Sequence, residues 1–346
     1  MANIFARSPY LIRIAEATQN GSKVELFLSA TSFSGSPQYT LSKLIPASNN
    51  IETLYDISPY IREYIRFASC SAGGNAAVTN PTTERVNVRV KRYKLVGSTY
   101  SATATDPQLD YIAFDGSTYY ESGYNFDLGN YGLDAGNYYY NPTSDAGKIR
   151  VTTGASFTAR YTNLSTAVVT SLAVASSTFD IPRVRTANVN EGNKVEILNG
   201  ASAVQATWYF YPLEECKYTP VIIDFVNKYG AWQREFFFKA SNDTFSVENT
   251  EYNLLQTDSY NYNTLEGQRK VFNANGKKSI KVNTGWVAQT WSEVLKQIML
   301  SERILIDNKP AKINSKSTEL FKHINTKQIN YSLDFEFAYD VINSVI

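Results

Sequence analysis

The chain has a single histidine, His323, and only two cysteines, Cys70 and Cys216, in 346 residues. A catalytic triad would have that one imidazole to use. Its surroundings, Leu320, Phe321, Lys322 and Ile324, hold no nucleophile motif, so a surface or structural histidine is expected. The same scarcity all but removes a histidine-based metal site. Two cysteines so far apart, in unlike contexts, read as reduced and mostly buried thiols rather than a disulfide. A Walker A loop, a Rossmann glycine fingerprint, a G-x-S-x-G elbow and a zinc-spaced cysteine pair are all missing. Charge is scarce as well: 19% of residues are charged and the net charge is +1. That balance gives no support for specific nucleic-acid binding or membrane binding. No apolar run approaches the roughly 20 residues of a spanning helix, so no membrane insertion is expected. Residues 1–10 show no basic stretch leading into an apolar one. The expectation is a soluble protein made in the cytoplasm, with no cofactor.

Aromatic residues are plentiful instead. With 25 Tyr and 18 Phe the aromatic fraction reaches 14%, a profile that suits an all-β protein with extensive contact surface. The stretch 215–240 is the organising element. Val221, Ile222, Ile223, Phe225 and Val226 form a short β-branched run opened by Pro220, which reads as a strand buried on both faces. Asn227, Lys228, Tyr229 and Gly230 make the turn, with Gly230 at a positive-φ position. The return strand carries Trp232 and Phe236 to Phe238.

Elsewhere the pattern is again extended. Strands are expected over 10–17 and 23–30 with Asn20-Gly21 as their turn, and over 39–44, 148–153, 156–161, 167–175 and 206–212. In 84–96, Val86, Val88 and Val90 alternate with Arg85, Asn87, Arg89 and Lys91, which gives one buried and one basic face. Asp115-Gly116 predicts a type I′ turn joining 109–114 to 117–121. Two helices are expected. One follows Ser58 as N-cap and Pro59 at the first helical position, with Ile57, Ile61, Tyr64 and Ile65 on one face. The other follows the capping-box spacing of Thr290 and Glu293, with Trp291, Leu295, Ile298 and Met299 inward. A hairpin over 304–313 and a long alternating strand over 329–340 complete the chain, while 249–263 reads as irregular. The predicted fold is all-β: two β-sandwich-like domains, 1–180 and 181–346, with a loop-rich insertion at 97–147.

That insertion contains no Lys or Arg, but Asp106, Asp110, Asp115, Glu121, Asp127, Asp134 and Asp145 lie there among many tyrosines. Tyr with Ser, Gly and Asn gives adaptable contact area at low entropic cost. Tyr119, Tyr120, Tyr138, Tyr139 and Tyr140, with Arg85, Arg89 and Lys91 of the basic strand, therefore form the candidate interaction surface. The opposite charges can pair within one subunit or between neighbours in a ring. A solubilising surface insertion is the plainer alternative. The aspartates lack calcium-loop spacing, and only a looser calcium site stays open. Glycoside hydrolysis needs just two carboxylates, which Glu214, Glu215 or the acidic segment can supply, yet loop carboxylates are mostly solvated charge and no enzyme is expected.

Three blocks carry a resemblance: Arg7-Ser8-Pro9-Tyr10, the run 56–65 (Asp-Ile-Ser-Pro-Tyr-Ile-Arg-Glu-Tyr-Ile), and Cys216-Lys217-Tyr218-Thr219-Pro220 leading to 225–231. They resemble blocks in virion structural proteins of tailed bacteriophages, particularly crAss-like and related phages of Bacteroidetes. The order of Trp291 helix, hairpin and alternating strand is similar to such proteins too. The resemblance implies a virion location and a tail-ring, tail-barrel or baseplate role. Its partners would be copies of itself and other tail or neck proteins, and no catalytic residue comes with it. The second reading is a receptor- or glycan-binding tail module facing a host surface receptor, whose exposed tyrosine row would stack on sugar rings.

Overall fold

The computed structural model describes residues 2–29, 32–45, 52–67, 75–79, 84–118, 131–175, 177–254, 265, 267–317 and 328–341. Strands account for 55% and helix for 8%, so the chain is all-β. It divides into two compact units, 1–213 with 226–234, and 214–225 with 235–346. The strand Ser177–Pro182 runs through the 180/181 position where the sequence suggests a domain boundary.

In the first unit a six-stranded sheet runs in the order Ala2–Phe5, Gln108–Phe114, Arg85–Val96, Gly21–Ser29, Tyr39–Leu44, with Thr99–Ala102 paired to the end of Arg85–Val96. The alternation expected over 84–96 is present: Val86, Val88 and Val90 are fully buried. They join Ile12, Ile14, Val24, Leu26, Tyr55, Ile57 and Ile61 in one core. Leu11–Ala15 and Gly21–Ser29 do not form the hairpin expected around Asn20-Gly21. The first pairs with Glu52–Asp56 in a two-stranded sheet and the second with Tyr39–Leu44 and Arg85–Val96. Local turn residues lost to longer-range pairing, because both strands bury alternate apolar residues in the same core.

The first helix is Ser58–Tyr64, with Pro59 in its opening turn. Ser58 is not its cap. Asp56 Oδ1 accepts from the Ser58 amide at 3.0 Å and hydroxyl at 2.7 Å, and from the Tyr10 amide at 3.1 Å. Ile57, Ile61 and Ile65 are buried, whereas Tyr64 faces solvent. Asp115-Gly116 is not a type I′ turn either. Gly116 has no positive φ; a Cβ there would stand 2.3 Å from the Lys228 carbonyl oxygen, so glycine permits a close backbone approach.

The unit also holds a five-stranded sheet, Asn137–Tyr140, Val204–Pro212, Asn193–Leu198, Phe157–Asn163, Val169–Val174, and a three-stranded one, Lys148–Thr153, Ser177–Pro182, Val78–Thr79. Arg150 is buried between Glu84 at 2.8 Å and Asp180 at 3.0 Å, and donates to the Gly230 carbonyl at 2.7 Å. Gly230 has φ +67°, as the turn requires, and the Asn227 side chain accepts from the Tyr229 amide.

The second unit holds most of a seven-stranded sheet ordered Trp232–Phe237, Val221–Val226, Ile304–Ile306, Lys309–Ile313, Gln328–Phe337, Arg269–Ala288, Asn242–Asn253, of which Val226 and 232–234 fall in the first unit. Asp307 and Asn308 both adopt positive φ in the expected 304–313 hairpin. Ile329, Tyr331, Leu333 and Phe335 are buried on one face of the long alternating strand. The helix Ser292–Leu300 has no side-chain cap, so the capping box does not form; Glu293 pairs with Lys296 instead. Trp291 packs edge-on to Phe237 and stacks with Tyr331. The stretch expected to be irregular is strand over 249–253, and 255–264 lies outside the described residues.

Candidate interaction surface

Where it is described, the acidic segment contributes three strands, Thr99–Ala102, Gln108–Phe114 and Asn137–Tyr140. Gln108–Phe114 lies between Ala2–Phe5 and Arg85–Val96, and Asn137–Tyr140 pairs in parallel with Val204–Pro212. Tyr119, Tyr120, Glu121 and Asp127 lie outside the described residues, as do Cys70 and His323. Within the strand Asn137–Tyr140, side chains alternate between faces. Tyr138 and Tyr140 are therefore buried, which corrects their expected place on an exposed surface. The Tyr138 ring stacks on Phe210 at 5.5 Å, with the Arg183 guanidinium 5.0 Å from its centroid. Its hydroxyl accepts from the Ala135 amide at 2.9 Å. The Tyr140 hydroxyl donates to the Val189 carbonyl at 2.7 Å, and burial raises its pKa. Only Tyr139 stays half-exposed, with Tyr211 beside it at 6.0 Å and Tyr209 stacked on Tyr211 at 6.3 Å.

The charges of this region close on the chain itself. Arg89 and Asp110 are direct cross-strand partners and make two hydrogen bonds, at 2.8 and 2.9 Å. Those bonds hold Asp110 below its ordinary carboxylate range and Arg89 above its own. Asp115 takes Arg7 at 3.2 Å and Arg62 at 3.3 Å, Asp134 takes Lys228 at 3.0 Å, and Asp145 lies 3.8 Å from Arg234. Asp106 is 3.9 Å from Arg92, whose guanidinium also donates to the Asp106 carbonyl. Each described aspartate of 97–147 thus has a basic partner in the first unit. Of the remaining candidates, Lys91 sits 4.8 Å above the Phe27 ring. Arg85 is half-buried, with an Nε that meets no hydrogen-bond partner among the described residues, and burial lowers its pKa.

Glu214 is exposed and Glu215 pairs with Lys239 at 2.7 Å. The Lys239 hydrogen bond lowers the Glu215 pKa, opposite in sign to what a general acid needs. Cys216 is an exposed free thiol, not a buried one. Among the described residues no group of three or more His, Cys, Asp or Glu is placed to hold a metal ion, and no helix is long and apolar enough to cross a membrane.

The surface that composition did not single out is a β-ribbon in the second unit. Asn242–Asn253 pairs antiparallel with Arg269–Lys281, and Leu254 closes on the Gln268 carbonyl at 2.8 Å. It is the terminal strand of its sheet, and all twelve of its residues are exposed. Phe245, Val247, Tyr252 and Phe272 leave 57%, 53%, 44% and 60% of their surface in solvent. The Phe245 ring lies across Gly276, and the Tyr252 and Phe272 rings meet edge-on at 6.3 Å. The signal available in the sequence was the alternation Phe245, Val247 within a polar run, facing the basic run 277–281.

No protein-family model matches the chain, and comparison with curated proteins and with solved structures gives no match.

Proposed function

We propose that the chain is a structural subunit of a tailed-bacteriophage virion, a tail-ring, tail-barrel or baseplate component. It works by assembly: copies close into a homo-oligomeric ring that stacks on unlike tail or neck proteins. The observation that carries this reading is the exposed terminal strand Asn242–Asn253. A sheet edge offers a row of backbone donors and acceptors, and here it also displays Phe245, Val247 and Tyr252. Such an edge is usually blunted in a protein that acts alone. The blocks at 7–10, 56–65 and 216–231 supply the virion setting by resemblance. Size-exclusion chromatography with light scattering, then imaging of the oligomer, tests it, with a closed ring as the expected result. A protein that stays monomeric at high concentration and is absent from purified particles would overturn the reading.

The receptor- or glycan-binding reading keeps one observation in its favour. Tyr139, Tyr209 and Tyr211 form a half-exposed aromatic row on the outer face of their sheet. Glycan-array binding lost in Tyr209→Ala and Tyr211→Ala would favour it.

A further inference from the structure

The two strands of the ribbon carry opposite charge. Asn242–Asn253 holds Asp243, Glu248 and Glu251 and no base; 269–281 holds Arg269, Lys270, Lys277, Lys278 and Lys281 and no acid. Gln328–Phe337 pairs with the basic strand only from Ser279 onward, and Val341 adds one bond at Gly276. Beyond that point the ribbon is two-stranded among the described residues, spanning 248–253 and 269–275.

Resting on the ring-subunit reading, we propose that the edge strand Asn242–Asn253 is the self-assembly surface, and that its occupant is the basic strand 269–275 of a second copy. Charge selects this partner over the alternatives. Two edge strands paired with each other across a two-fold would set Asp243, Glu248 and Glu251 against the same three acids, and like charges on adjacent strands are destabilising. The basic strand of a neighbour sets acid beside base. The geometry agrees, because translated copies of an antiparallel ribbon continue the alternation of strand direction, so each new pair is again antiparallel. The contact joins two different patches, which generates a ring or an open helix rather than a closed dimer. The pairs already inside the ribbon, Lys277–Glu248 at 2.8 Å and Lys278–Asp243 at 3.6 Å, occupy one side of the acidic strand and are solvent-exposed. Exposed pairs of this kind are worth little and re-form readily with a second neighbour. Charges alone also serve to protect an edge from pairing, but a protected edge does not display Phe245, Val247 and Tyr252 alongside them.

The test uses the full chain. Glu248→Lys with Glu251→Lys should raise the apparent dissociation constant of the oligomer at least about tenfold, and Arg269→Glu with Lys270→Glu should do the same. The fourfold variant carrying both reversals should assemble again. Melting midpoints identify any variant that fails to fold. Amide hydrogen exchange on the unmutated protein gives a readout free of substitutions: the outward-facing amides of 242–253, which do not bond to 269–281, should be protected in the oligomer and exchange quickly on dilution to monomer. An oligomer that survives both reversals with its outward-facing 242–253 amides still exchanging quickly overturns this inference and leaves the ring-subunit reading standing. Cross-links joining 242–253 to itself overturn it in the same way. A protein that is monomeric and missing from particles overturns the underlying reading, and this inference falls with it.

Discussion

The strands Asn137–Tyr140 and Asn242–Asn253 are both polar and tyrosine-bearing, yet the first buries Tyr138 and Tyr140 while the second buries nothing. The difference lies in their neighbours. Asn137–Tyr140 runs beside Val204–Pro212, so Tyr138 stacks on Phe210 under Arg183, and the hydroxyls of both buried tyrosines find backbone partners. A tyrosine with its hydroxyl satisfied is as good a core residue as phenylalanine. Asn242–Asn253 is, like Asn137–Tyr140, a terminal strand with one paired neighbour, but all twelve of its residues are exposed. A strand's burial is set by what lies against its faces, and composition is a poor guide to that.

The sharpest way to test the comparison is the same substitution in both places. Tyr138→Ala removes a fully buried ring and should cost about 3–5 kcal/mol. Tyr252→Ala removes one edge-on ring contact and should cost about 0.5–1.5 kcal/mol. Urea unfolding of both variants reads the difference; equal losses would mean that the ribbon is packed against something.

Gly230→Val follows in size. Gly230 holds φ +67°, and a Cβ there would approach the Asp115 amide nitrogen at 2.9 Å. The cost expected for a β-branched residue at such a position is about 1–3 kcal/mol. The melting midpoint should fall, and an unchanged one would mean that the turn relaxes away from Asp115.

How much of this was legible in the sequence depended on how local the cause was. The period-2 alternation of Val86 to Val90 and of Ile329 to Phe335, the Asn227–Gly230 turn and the 304–313 hairpin are written in neighbouring residues, and the structure has them; the last strand stops at Phe337, short of the expected 340, and leaves Tyr339 exposed. Asn20-Gly21 and Asp115-Gly116 carry equally good turn chemistry. Yet Gly21–Ser29 is drawn to Arg85–Val96, and Gly116 answers to the Lys228 carbonyl, more than a hundred residues away. Tyr138 and Tyr140 of the candidate surface are buried for the same reason, since Phe210 and the Val189 carbonyl that receive them lie far along the chain. The count of acids in 97–147 was right, but their partners Arg7, Arg62, Lys228 and Arg234 come from distant parts of the chain. The ribbon was missed because Asn and Tyr between 249 and 253 mask an ordinary strand whose two faces are both wet.

The smallest effect concerns charge, where the two regions differ again. Arg89 and Asp110 leave about a third of their side chains exposed, whereas Glu248 of the ribbon pair leaves 69%. Asp110 is held below its ordinary value of 3.8 by the Arg89 hydrogen bonds. A carboxylate whose folded pKa is depressed binds protons more weakly in the folded chain than in the unfolded one. Its stabilisation is therefore fully present above the unfolded value and is lost as pH falls below 3.8 through the folded value. Because the pair is part-exposed, solvent screening limits it to at most about 1 kcal/mol. Asp110→Asn should lower stability by that amount at pH 7, and should flatten the loss between neutral pH and pH 3, in urea midpoints measured across the series. Glu248→Gln, in a pair open to solvent, should leave the midpoint unchanged at pH 7. An Asp110→Asn variant with the parent's acid limb would show that the Arg89 pair contributes nothing, and that charge in both regions is merely solvated.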